Sequence, residues 1–252
     1  MGYKDGESIG IIIQQPSKGM EPEKFHDTIQ VGQNMFDVYK EEGFNVNIHE
    51  YDVEVARNGV EPPLEFVHDF PSYDIIFMTT AYSLSHTNFR KMLTSGGARI
   101  ASMPGFPMEF FADGGPMDAD MNELTSRTNE VFDSLSKASY VHVIGKGTHM
   151  HVQVSEIVHA SDGIIAEDRA FGNLPGAEAY CVPEHDGDSN GYFTVPAGWG
   201  GPFAMKYAVR FYVEAGRFVD IVGESEDAQI WIDENVKPLI FGEDDFNVLA
   251  EL

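Results

Sequence analysis

The chain has 252 residues, 42% of them hydrophobic, which is enough to build one large domain or two smaller ones. Its 41 acidic and 16 basic residues give a net charge of −25, which repels phosphate backbones and anionic lipid surfaces. Nucleic-acid and membrane partners are therefore not expected, and no apolar run approaches the ~18 residues of a membrane span.

Strand and helix patterns alternate through the first half of the chain. The β-branched run at 9–15 is typical of a strand buried on both faces, and a helix-spaced apolar pattern follows it and stops after Glu42. Further strands are predicted at 45–51, 73–80 and 98–103, and further helices at 87–93 and 120–136. Because strands and helices alternate, we expect a mainly parallel sheet with helices on its faces.

The second half is dominated by short β-rich segments separated by glycine turns. Strands are predicted at 140–146, 148–155, 163–166, 178–183 and 191–195. Two alternating runs around Ala215 and Gly216 predict a hairpin, and helical spacing resumes at 226–236. We therefore divide the chain near residue 138, into an α/β half (1–138) and a β-rich half (139–252).

The stretch GTHMHVQVSEIVH, at 147–159, is the clearest candidate for a metal site. In an extended strand His149 and His151 share one face, and two such imidazoles can bind one ion. A third ligand would have to be a carboxylate: Glu178 is the best candidate, because Glu156 lies on the opposite face from His149. Zn, Fe or Mn would suit this set. The alternative is that the two histidines simply form a solvated strand face.

Other polar or reactive residues give weaker signals. We expect His142 to be a packing or surface residue, and His185 to lie in a solvated acidic turn. Cys181 lies in an apolar run and is expected to be a buried small residue, not a nucleophile. No phosphate-binding loop and no Gly-x-Ser-x-Gly nucleophile motif is present. With one cysteine and no apolar leader, a cytoplasmic location is the default expectation.

Five sequence blocks, in order, resemble the metal-dependent leucyl aminopeptidases of the aminopeptidase S and aminopeptidase T family and the ring-opening 2,5-dihydroxypyridine dioxygenases. The blocks are SLSHTNFRKMLTSGGARIASMPG (83–105), KGTHMHVQV (146–154), FGNLPGAEAYCVP (171–183), FYVEAGRFVDIVG (211–223) and FNVLAEL (246–252). The resemblance implies a Rossmann-like first half and a β-rich second half that carries the metal.

The resemblance also identifies candidate ligands. A glutamate in the N-L-P-x-x-E block and one in the x-A-E-L block bind metal in the aminopeptidases, and the matching positions here are Glu178 and Glu251. The family's remaining ligands follow the x-A-E-L block, beyond Leu252. Where the family has Gly-Thr-Asp-Leu, this chain has Gly-Thr-His-Met, so His149 replaces an acidic residue.

Two functions remain open from the sequence. One is a divergent metal-dependent enzyme, either aminopeptidase-like or dioxygenase-like, with a site rebuilt from His149, His151, Glu178 and Glu251. The other is a non-catalytic protein that binds a peptide or small molecule, for example in a ribosomal peptide natural-product pathway. The loops MPGFPMEFFADGG and AGWGGP are candidates for lining its cleft. A homo-oligomer is expected in either case.

Overall fold

The computed structural model of the chain describes residues 1–184, 187–199, 204–242 and 246–252. These residues fold into two compact units. The first contains Met1–Ser126 and Ser161–Ala177, and the second contains Arg127–Ala160 and Glu178–Leu252. The sequence predicts a single boundary near residue 138, whereas the chain passes from one unit to the other three times, at 126/127, 160/161 and 177/178. The two additional boundaries arise because residues 161–177 return to the first unit and add a strand to its sheet.

A parallel sheet lies at the centre of the first unit. Its strands are β1 (Ser8–Pro16), β2 (Asn45–Val53), β3 (Ile75–Thr79), β4 (Arg99–Ser102) and β7 (Phe171–Asn173). They are arranged in the order β2-β1-β3-β4-β7, and every neighbouring pair is parallel. The predicted α/β class with a mainly parallel sheet is confirmed.

The central strand β1 is buried on both faces, as its isoleucine run predicts. Ile11, Ile12 and Ile13 are fully buried. Ile11 and Ile13 belong to one apolar cluster with Phe77, whereas Ile12 belongs to a second cluster with Phe25. Because successive side chains of a strand point to opposite faces, the sheet has an apolar core on each side.

Helix α1 (Glu23–Glu41) packs closely against this sheet. A Cβ atom added at Gly32 would lie 2.4 Å from the Oγ1 atom of Thr79, so the approach of helix and sheet requires glycine there. The next helices are α2 (Leu64–Asp69), α3 (Asn88–Ser95) and α4 (Met121–Leu135). None of the helices in the described ranges combines the length and apolarity that a bilayer crossing needs.

The second unit is built on an antiparallel sheet. Its strands are β5 (Tyr140–Gly145), β6 (Thr148–Ser161), β8 (Glu178–Pro183), β9 (Asn190–Val195), β10 (Val209–Glu214) and β11 (Arg217–Gly223). The order is β11-β10-β9-β6-β5, and β8 also pairs with β6. The predicted hairpin turn at Ala215 and Gly216 is confirmed, with φ of 49° and 76°. Helices α5 (Glu226–Asn235) and α6 (Lys237–Phe241) follow.

One face of this second sheet carries an apolar core. Met150 and Val152 of β6 are buried with Val213 of β10, and Phe193 and Phe218 pack against them. Alternate residues of β6 therefore point into the core, as the sequence pattern predicts. The residues between them, including both predicted histidine ligands, lie on the opposite face.

Between residues 161 and 177 one predicted strand is absent and one strand is present that was not predicted. The strand predicted at 163–166 does not form: Gly163 adopts a left-handed φ of 77°, and Ile165, 2% exposed, packs into the first unit's core. Strand β7, in contrast, was not predicted, because three residues are too few to show an alternating pattern.

Candidate functional site

The predicted histidines lie on a polar face of the second sheet. Strands β5 and β6 form an antiparallel pair in which His142 is opposite His151 and Ile144 is opposite His149. On its other side, β6 pairs with β9, which places Tyr192 opposite His149. Because directly paired residues point to the same side of a sheet, the three histidines share one surface. We call His142, His149 and His151 the histidine face.

Within the histidine face, His151 and His149 contact different neighbours. The Nδ1 atom of His151 lies 2.9 Å from the Nε2 atom of His142, and the ring of Tyr140 stacks on His151 with 4.5 Å between centroids. His149 instead meets the ring of Tyr192 edge-on at 6.4 Å. The two histidines predicted to share an ion therefore turn towards neighbouring strands on opposite sides of β6.

His142 was not predicted from the sequence to belong to the candidate site. It was expected to be a packing or surface residue, yet it is the direct partner of His151. The signal was the short Lys146-Gly147 connection between two alternating runs, which predicts a hairpin and so a direct pairing of the two strands.

Glu178 lies at the other end of β6 from the predicted histidine ligands. The amide of Glu184, just after β8, donates to the carbonyl of Gln153 at 2.8 Å, and Tyr180 contacts the ring of His159 at 5.3 Å. Strand β8 therefore runs antiparallel to β6, and Glu178 lies beyond Tyr180. At ~3.3 Å per residue, His159 is roughly 26 Å along the strand from His151.

Glu251 lies beside β8 rather than near the histidine face. Leu252 and Cys181 exchange two backbone hydrogen bonds, of 2.9 and 3.0 Å, which places the end of the chain alongside that strand. Burial raises the pKa of the Cys181 thiol, and the charge of Glu251 adds to this effect. Cys181 is buried, as predicted.

The four predicted ligands therefore do not form one metal-binding group. His149 and His151 share a face but contact different neighbours, while Glu178 and Glu251 lie along β8. Across the ranges that the structure describes, no three or more His, Cys, Asp or Glu side chains are grouped so that they could hold a metal ion. His185, the candidate in an acidic turn, lies outside the described residues. The residues described do not fit the predicted Zn, Fe or Mn site.

The first unit contains an apolar cavity of about 470 Å³. Its walls come from the start of β1 and β3, the end of α1, and the segments around 116–124, 163–164 and 174–176. The side chains and glycines that line it are Met1, Gly2, Tyr3, Ile9, Tyr39, Phe44, Ile75, Phe77, Pro116, Met117, Met121, Leu124, Gly163, Ile164, Leu174, Pro175 and Gly176. We call this space the aromatic cavity, because four of its walls are Tyr or Phe rings.

Tyr39 adds a polar residue to the lining of the aromatic cavity. Its ring contacts Phe44 at 5.5 Å and Phe77 at 5.9 Å, which fixes its position in the wall. Burial raises the pKa of Tyr39, so the phenol is neutral at physiological pH. Its hydroxyl has no hydrogen-bond partner among the described residues. A hydroxyl in this state can donate to, or accept from, a bound molecule.

The two loops that were predicted to line a cleft differ in how far their aromatic side chains are exposed. In MPGFPMEFFADGG, Phe106 is 1% exposed and packs in the core against Phe110 and Phe111. This loop is therefore largely structural. In AGWGGP, Trp199 is 69% exposed, and the last three residues lie outside the described ranges. No described residue of either loop lines the aromatic cavity.

Comparison with solved structures confirms the predicted resemblance at the level of the fold. The chain matches 2,5-dihydroxypyridine dioxygenase from Pseudomonas putida KT2440 with a TM-score of 0.68 and 15% identity, over 97% of this chain and 70% of that one. It matches AmpT from Thermus thermophilus with a TM-score of 0.55 and 12% identity, over 99% of this chain and 73% of that one. No family model and no curated protein sequence matches.

Proposed function

We propose that this protein binds a small molecule with an aromatic ring in the aromatic cavity, and that this binding does not require a metal ion. The observation that carries the proposal is an apolar space of about 470 Å³ whose lining includes Tyr39, a residue whose hydroxyl has no hydrogen-bond partner within the described ranges. Cavities of roughly 300–1,000 Å³, lined by apolar and aromatic side chains with a few polar groups, are typical of small-molecule sites.

The lining indicates the class of ligand. The rings of Tyr3, Tyr39, Phe44 and Phe77, together with three methionines, favour a flat aromatic ligand through ring and sulfur contacts. The hydroxyl of Tyr39 favours a ligand with one polar substituent on the ring. One fold neighbour is named for 2,5-dihydroxypyridine, a small ring with two hydroxyls and a ring nitrogen, which is more polar than this lining favours. A shared fold alone does not determine function, so the cavity carries the argument.

Fluorescence titration with 2-naphthol and naphthalene tests the proposal. Both probes are flat and aromatic, but only 2-naphthol has a hydroxyl to pair with Tyr39. We expect one binding site per chain in the presence of a chelator. Tyr39→Phe removes only the phenolic oxygen, so it should weaken 2-naphthol binding by about threefold to tenfold, or roughly 0.7–1.4 kcal/mol, and leave naphthalene binding unchanged. Absence of saturable binding of either probe would refute the proposal.

A metal-dependent enzyme, aminopeptidase-like or dioxygenase-like, is the second candidate. It is favoured by the facing ring nitrogens of His142 and His151, 2.9 Å apart. Two imidazoles on a tetrahedral ion, each with its nitrogen ~2.0–2.1 Å from the metal, have nitrogens roughly 3.3 Å apart, so the pair needs little movement to bind one. Elemental analysis of protein purified without chelator tests this candidate. Stoichiometric Zn, Fe or Mn would support it, and protein free of all three would count against it.

A further inference from the structure

A second pocket in the first unit is lined by positively charged side chains, although the chain as a whole is negatively charged. It has a volume of about 500 Å³ and lies between helix α3 and the residues at the start of β7. Its lining consists of Arg90, Lys91, Thr94, Ser95, Arg169 and Phe171. Three of these residues are cations and none is a carboxylate, in a chain that has 41 acidic and only 16 basic residues. We call this space the basic pocket.

Arg90 is held in a fixed orientation inside the basic pocket. Its Nε atom donates to the carbonyl of Ser85 at 2.7 Å, and its Nη1 atom donates to the Oγ1 atom of Thr94 at 3.3 Å. The guanidinium also lies over the ring of Phe171, 4.2 Å from the centroid. These contacts leave the Nη2 atom of Arg90 without a partner among the described residues. A guanidinium fixed in this way is pre-organised to bind an oxyanion.

The cations of this pocket have no counter-ion in the part of the chain that the structure describes. Within the described residues, Arg90, Lys91 and Arg169 form no salt bridge with a carboxylate. Arg90 is half-buried, and burial lowers its pKa because the charged form loses water. A partly buried charge without a counter-ion is unfavourable, and a bound anion would offset this cost.

We propose that the basic pocket binds phosphate or the phosphate group of a small phosphate monoester. The Arg90 guanidinium contacts the phosphate oxygens, and Lys91 and Arg169 supply further positive charge. The hydroxyl of Ser95 lies in the same lining and can donate to the anion. The pocket is several times larger than a phosphate ion, which leaves room for the organic part of a monoester.

General attraction of anions by surface cations is a competing explanation. Arg90 and Lys91 lie in the first half of α3, whose last turn has no basic residue, so the helix dipole does not account for them. If surface charge alone matters, phosphate would show no preference for the pocket. The experiment must therefore compare pocket cations with a cation elsewhere.

Calorimetric titration with inorganic phosphate and with phenyl phosphate, at constant ionic strength, tests the site. Arg169→Gln is the main variant because Arg169 is exposed, so this substitution is expected to leave the fold intact, and Arg90→Gln is the second. Lys18→Gln removes one exposed charge outside the pocket and is the matched control. We expect saturable binding that both pocket variants weaken by about tenfold or more and that Lys18→Gln leaves unchanged.

Three results would overturn the proposal. One is the absence of saturable binding of either ligand to the unmodified protein. Another is an equal loss of affinity in Arg169→Gln and Lys18→Gln, which would indicate a general charge effect. The third is binding of sulfate to the unmodified protein as tight as that of phosphate, which would indicate a site for any oxyanion and not for phosphate. Tighter binding of phenyl phosphate than of inorganic phosphate would identify a monoester as the natural ligand class.

Discussion

His142 and His151 face each other across neighbouring strands, with 2.9 Å between Nε2 of the first and Nδ1 of the second. A hydrogen bond between two imidazoles needs one donor and one acceptor, so one ring of the pair presents a lone pair to the other. The pair is fixed from both sides, by the direct strand register and by the stacked ring of Tyr140.

This pair predicts which histidines bind added Zn²⁺. A metal ion would replace the shared proton, so His142→Gln and His151→Gln should each weaken binding by about tenfold or more. His149→Gln should have a smaller effect, because His149 contacts Tyr192 instead. His159→Gln, on the same strand, is the control. Equal losses in all four variants, measured by calorimetry, would show that the facing pair has no special role.

The fold should lose stability in alkali through Tyr51. Burial raises the pKa of Tyr51 to about 12, although the hydrogen bond from Gln14, 2.7 Å long, acts in the opposite direction. A raised pKa means that the folded state favours the neutral phenol. The contribution is therefore complete below pH ~10, the ordinary tyrosine pKa, and is lost as the pH rises towards 12.

Denaturant unfolding between pH 9 and 12 measures this effect. The free energy of unfolding of the unmodified protein should fall more steeply over that range than that of Tyr51→Phe, which cannot ionise. Tyr3→Phe, at an exposed position, is the control for a general effect of removing a phenol. Parallel curves for the unmodified protein and Tyr51→Phe would contradict the assignment.

Gly191 is required where β9 meets β6. Its φ is 133°, and an added Cβ would lie 2.1 Å from the carbonyl oxygen of His149. Gly191→Ala should therefore lower the free energy of unfolding by roughly 2–4 kcal/mol. Gly198→Ala is the matched control: its φ is 81°, but no atom of the described residues lies within 4 Å of the added Cβ, so it should cost only about 1 kcal/mol. Similar losses in both variants would contradict the predicted clash.

Salt should stabilise the folded chain. With a net charge of −25, acidic side chains repel one another in the compact state, and added ions screen that repulsion. The melting temperature should rise by several degrees between low and molar KCl. Sucrose at matched osmolality is the control for a general solute effect. A flat response to KCl would contradict this prediction.

Local patterns in the sequence were sufficient for most of the fold. The isoleucine run of β1 predicted a strand buried on both faces, and alternation in β6 correctly separated Met150 and Val152 from His149 and His151. Both signals depend only on near neighbours in the chain. Strand β7 gave no such signal, because it is only three residues long and gains its structure by pairing with β4.

The candidate sites depended on contacts that alternation does not encode. Glu178 was matched to the histidines by sequence block, but the antiparallel pairing of β8 with β6 puts it at the far end of the strand. The aromatic cavity brings Tyr39 together with residues around 117, 124, 164 and 175, which are distant along the chain. The basic pocket likewise joins α3 to Arg169. Such groupings follow from topology, not from local spacing.

Titration of 2-naphthol into a cavity-filling variant, with chelator present throughout, tests the central claim most directly. Leu124 lines the aromatic cavity and is half-buried, so Leu124→Trp should occupy the space and weaken binding by about tenfold or more. Val38→Trp, at a position 55% exposed and outside the cavity, adds the same side chain and should bind as the unmodified protein does. Equal affinity in all three proteins, or binding that disappears on chelation, would contradict metal-independent binding in this cavity.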